Sequence, residues 1–121
     1  MSRTTRTTRT LDELVAAGDL TVVPEASLPL RGGQELSVLR VELAPGVAEP
    51  RHTHPGVEIL RGLAGNGHVE LDRGERVPLG PGAVVPVAEG RVKALVNDGD
   101  EVLRVLAVLV LEAGEPPLRP A

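Results

Sequence analysis

The chain of 121 residues contains no phenylalanine, tyrosine or tryptophan, and no cysteine. Each aromatic ring would bring roughly 150–250 Å² of buried surface to a core, so the interior has to be built from aliphatic side chains. No ring is available to stack a base, a flavin or a sugar. Without cysteine there is no disulfide framework, no thiolate metal site and no sulfur nucleophile. Long hydrophobic runs are missing too: the segment Val105 to Leu111 is far too short to span a bilayer. The opening MSRTTRTTRT carries positive charge with no apolar stretch behind it, unlike a secretory signal. A cytoplasmic protein with no membrane partner is expected. Net charge is −4, and once Arg3, Arg6 and Arg9 are set aside, ten basic residues face seventeen acidic ones. So acidic a body argues against a nucleic-acid surface. The first ten residues read as a flexible, solvated tail.

Glycine and proline are abundant, with 14 and 11 copies, and they punctuate short segments rich in valine and leucine. Such punctuation marks a turn-rich β protein of one domain. Thr10-Leu11-Asp12-Glu13 fits a capping box and opens one short helix reaching about Ala17. Strands are expected at Leu20–Val23, Glu35–Leu43, Ala48–Thr53, Val57–Arg61, Gly67–Asp72, Arg76–Leu79, Ala83–Val87, Arg91–Asn97 and Glu101–Leu111. An all-β sandwich or jelly-roll barrel follows. Alternation sets Leu39, Val41 and Leu43 against Val38, Arg40 and Glu42, and places His68 on an outer face opposite Val69. The last strand is apolar on both faces beyond Arg104. One small barrel covers only one of them, so a homodimer is expected.

Two of the three histidines lie one residue apart in Arg51-His52-Thr53-His54-Pro55-Gly56-Val57-Glu58. Residues two apart on a strand share a face, with Cα atoms about 6.5 Å apart. His52 and His54 can therefore converge, and Glu58 can return a carboxylate after the Pro-Gly corner. Two imidazoles and a carboxylate suit Fe, Mn, Ni or Zn. From Gly46 onward the spacing Gly46-x5-His52-x-His54-x3-Glu58-x6-Gly65 resembles the first signature motif of the cupin family. Pro81-Gly82, Gly90 and Asn97 resemble the second.

The resemblance, which covers about Glu35 to Leu111, implies a cupin-type double-stranded β-helix (jelly-roll barrel); a single domain over 11–113, opened by the short N-terminal helix, and an extended tail over 114–121 are expected. The resemblance also implies His52, His54 and Glu58 as ligands of a divalent transition metal. Aligned without gaps, the second motif falls on Gly82, Ala88, Gly90, Lys93 and Asn97; Pro86 is an alternative for its proline. Either way Lys93, the chain's only lysine, stands where the family has a histidine. Its ammonium can swing aside from a three-ligand metal, lose its proton, or pair with Glu58 and replace the metal. Two functions follow. One is a metal-dependent enzyme of the oxygenase, isomerase or lyase class acting on a small acidic molecule, with Lys93 as a catalytic residue that orients a carboxylate or moves a proton. The other is a non-catalytic barrel that binds a small ligand or serves as a dimeric scaffold, its metal site weak or empty.

Overall fold

A computed structural model describes residues 9–114, 119 and 120, so most of both expected tails lies outside the described residues. One helix, α1 (Leu11–Ala16), precedes β1 (Leu20–Pro29), β2 (Gln34–Leu43), β3 (His52–Thr53), β4 (Gly56–Ala64), β5 (Gly67–Leu71), β6 (Arg76–Pro78), β7 (Val84–Val87), β8 (Lys93–Asn97), β9 (Leu103–Glu112) and β10 (Arg119–Pro120). They form two five-stranded sheets, ordered β1-β2-β9-β4-β7 and β10-β3-β8-β5-β6. All strand pairings are antiparallel. The fold is the expected all-β jelly roll with a short N-terminal helix. Thr10 and Glu13 close the reciprocal capping box read from the sequence, and Leu14 of α1 is fully buried. That helix is too short to cross a membrane.

The apolar core between the sheets is built from aliphatic side chains. Leu43 of β2, Leu60 of β4, Val69 of β5, Leu95 of β8 and Leu103, Val105 and Leu109 of β9 belong to one buried cluster. Period-two alternation along β4 buries Glu58, Leu60 and Gly62 and turns Val57, Ile59, Arg61 and Leu63 outward. Asn97, completely buried, donates to the carbonyls of Leu43 and Glu101 and accepts from the Gly99 amide, which ties the β8–β9 turn to the end of β2.

Two strands depart from the sequence reading. The first runs to Pro29, well past Val23. It is an edge strand, where proline's missing N–H costs no ladder bond, and a register shift between Pro24 and Ala26 absorbs the first proline. The expected strand Ala48–Thr53 shrinks to a bridge from Ala48 to Val96 and the two residues of β3. Between them Pro50 has no amide to give, and the carboxylate of Glu49 accepts the Leu95 amide at 2.9 Å in place of a backbone carbonyl. The C-terminal segment, expected to lie extended on the surface, pairs Arg119 and Pro120 with Thr53 and His52 of β3. His68 does face away from Val69, but it is covered: its side chain is 12% exposed, with Nδ1 2.6 Å from Asp98 Oδ2.

Gly56 of the Pro-Gly corner lets β4 close on β9. A Cβ there would stand 1.8 Å from the Val110 carbonyl oxygen. Gly56→Ala should therefore force the central strands apart and destabilise the fold by about 2–3 kcal/mol. Urea denaturation of the two proteins checks this, and a loss below about 0.5 kcal/mol would mean that β4 shifts at no cost.

Candidate functional site

Four polar side chains meet inside the barrel, carried by three segments. Glu58 comes from β4 in the first sheet. Lys93 opens β8 in the second, directly opposite His52 of β3 in the strand register. His54 follows β3 at the corner. Lys93, Glu58 and His52 are 2–3% exposed, while the His54 side chain keeps 13%. The Lys93 Nζ lies 2.9 Å from Glu58 Oε1, so an ion pair spans the interior from one sheet to the other. Although close, this ammonium is not aligned as a hydrogen bond, and Oε1 has no hydrogen-bond donor among the described residues. On the other side of the carboxylate, His54 Nε2 stands 3.6 Å from Oε2.

The two imidazoles meet edge to face, their centroids 5.0 Å apart and their planes at 85°. His52 Nδ1 lies 3.0 Å from the Pro50 carbonyl, which only accepts, so Nδ1 carries the proton and Nε2 a lone pair. Burial pushes the pKa of His52 below the ordinary value of 6.5; Glu49 and the Pro50 carbonyl pull it up, while Lys93 and His54 push it further down. All four residues singled out in the sequence are thus neighbours. Glu49 was missed. A regular strand over Ala48–Thr53 would have turned it outward, whereas the broken ladder buries both Ala48 and Glu49 and sets the latter beside His52.

A cupin domain model matches residues 39–109, more than half of the chain. The chain belongs to the cupin family. Among solved structures, a cupin conserved-barrel protein from Salinispora arenicola is 30% identical, with a TM-score of 0.59 over 74% of this chain and 74% of that one. The polyketide cyclase RemF from Streptomyces resistomycificus is 24% identical, with a TM-score of 0.65 over 85% of this cupin and 71% of the cyclase. The cupin domain of an XRE-family transcriptional regulator from Enterobacter cloacae is 20% identical, with a TM-score of 0.62 over 75% of this chain and 95% of the domain. An enzyme and a regulator domain thus share the barrel, and the fold alone does not choose between them. No curated protein matches the sequence.

A divalent ion of the kind common in this family would need His52, His54 and Glu58 to converge. Their chemistry is right, and the His52 lone pair is available. Their present arrangement does not fit one: the Glu58 carboxylate is engaged by the Lys93 ammonium, and among the described residues no group of three His, Asp or Glu is arranged to hold a metal. An ion drawn to Glu58 would lie a few ångströms from Nζ. At 4 Å and an effective dielectric near 20, unit charges repel by ~4 kcal/mol, and a divalent ion doubles that.

Two measurements probe the electrostatics. Glu58→Gln removes the partner of a buried ammonium and should cost about 3–5 kcal/mol in urea denaturation at pH 7. A near-zero loss would mean that the Lys93 charge reaches water. His52 supplies an acid-side dependence. The unfolded chain takes up its proton near pH 6.5, but the folded chain resists it to lower pH. Protons therefore favour unfolding below that value, and stability should fall as pH drops from 6.5 towards the depressed folded value. His52→Gln should flatten that part of the stability profile; an unchanged slope would assign it to other groups.

Proposed function

We propose that this chain is a dimeric cupin that binds a small acidic molecule inside its barrel, with Lys93 as the receiving cation and Glu58, His52 and His54 around it. The observation that carries the reading is the off-axis contact of Lys93 with Glu58. An ammonium has three donors, and a contact with one carboxylate oxygen leaves others for a ligand carboxylate. Glu58 Oε1 in turn keeps lone pairs for a ligand hydroxyl. Without phenylalanine, tyrosine or tryptophan, recognition rests on charge and hydrogen bonds against aliphatic walls.

A second reading is the metal-dependent enzyme, with His52, His54 and Glu58 as ligands of Fe, Mn, Ni or Zn and Lys93 orienting the substrate or moving a proton. The outward Nδ1–H bond of His52, which leaves Nε2 unprotonated, favours it. It requires Lys93 to leave Glu58. Calorimetric titration of the untagged protein with small mono- and dicarboxylates tests the first reading. Wild type should bind at least one of them, and Lys93→Met should weaken that binding tenfold or more. Equal affinities in the two proteins would remove Lys93 from the site.

Support for the dimer comes from the outer face of the sheet built on β9. Val108 pairs with Val38 and Ile59, Val110 with Leu36 and Val57, and Leu36 with Leu28. Pro86 and Val84 of β7 continue the face, which leaves Leu28, Val57, Ile59 and Val84 at 47–58% exposure. This apolar band crosses all five strands, roughly 20 Å at the usual strand spacing. A second copy of the same flat face is its natural cover. Sedimentation should give a dimer at micromolar concentration, and Ile59→Glu should shift it to monomer; a monomeric wild type would sink the claim.

A further inference from the structure

We propose that the ammonium of Lys93 is the resident cation of this barrel: tethered to β8, it neutralises Glu58 permanently and makes the wild-type site refuse a divalent ion. The inference rests on the site reading above but not on the identity of any ligand. Three observations carry it. The pair joins the two sheets, Glu58 from β4 and Lys93 from β8, at 2.9 Å. Both side chains are 3–4% exposed, so neither can be rotated into water without opening the barrel. Lys93 also lies opposite His52 in the register, within the same pair of strands, so its backbone is fixed beside the imidazoles.

Charge counting gives the direction. Glu58 and Lys93 together sum to zero across 2.9 Å. A divalent ion drawn to that neutral pair meets the repulsion of the ammonium, in an interior where unpaired charge is costly. Replacing the ammonium by a third imidazole removes the repulsion and adds a ligand at once. The chain spends its only lysine at this position and uses arginine for its other twelve basic residues. A compact point charge can meet a single carboxylate oxygen between packed strands; a planar guanidinium demands more room.

The test uses untagged, metal-stripped wild type, Lys93→Gln and Lys93→His, with His54→Gln added to the last as a double variant. Each is titrated at one pH with Co(II), read by its ligand-field absorption, and with Zn(II) against a chromophoric chelator. Thermal melts confirm folding. Lys93→His should bind one ion at least a hundredfold more tightly than wild type, Lys93→Gln should fall between, and the double variant should lose the gain. Wild type that binds one equivalent of either ion stoichiometrically at micromolar protein would overturn the proposal, and that arm needs no variant to fold. A gain that survives His54→Gln would overturn it too, because the ion would then sit elsewhere. Carboxylate binding is read separately, so an absent ligand strikes the functional reading and leaves the resident cation standing.

Discussion

Everything in the barrel's interior is arranged around one ion pair between its sheets. The core packed around it is largely aliphatic, and in such surroundings a lone ammonium or a lone carboxylate would cost several kcal/mol. Held 2.9 Å apart, each makes the other tolerable. The pair also brings a geometric demand: β4 and β8 belong to different sheets, and their approach fixes the spacing at the end of the barrel where His52 and His54 lie. Gly56 serves the same end from the opposite direction, by letting β4 settle directly on β9.

The position of these residues was readable in advance because it depends on local periodicity. The Pro-Gly corner and the motif spacing return Glu58 toward the His52-x-His54 pair, whose two-residue spacing brings two imidazoles to the same place. The capping box of α1, the inward Val41 and Leu43 and the turn after Asn97 depend on short-range signals of the same kind. What escaped the sequence depends on partners far along the chain. Pro24 looks like a terminator until β1 proves to be an edge strand, where a missing N–H faces no neighbour. Glu49 looks like an outward residue until its carboxylate is seen standing in for a backbone acceptor of Leu95, 46 positions away. Whether Lys93 swings aside or pairs with Glu58 was likewise undecidable from spacing, since both outcomes use the same residues.

Membership of the cupin family settles architecture and leaves chemistry to the interior. A cyclase and a regulator's domain use barrels close to this one in shape. The present barrel holds a buried ammonium, Lys93, beside imidazole and carboxylate, and that cation bears on every reaction or ligand considered for it.

A core without rings has one more consequence. Every member of the central cluster is leucine, valine or alanine, and so every one carries a methyl group. Methyl-labelled nuclear magnetic resonance would therefore see the whole apolar cluster, with the His52 and His54 imidazoles as the ring currents at the site. Leu60 follows two residues after Glu58 on the same inner face, and Leu95 two after Lys93 on β8. Whatever enters the barrel, ion or acid, would announce itself first in those methyl signals, giving an optically silent protein a built-in set of reporters.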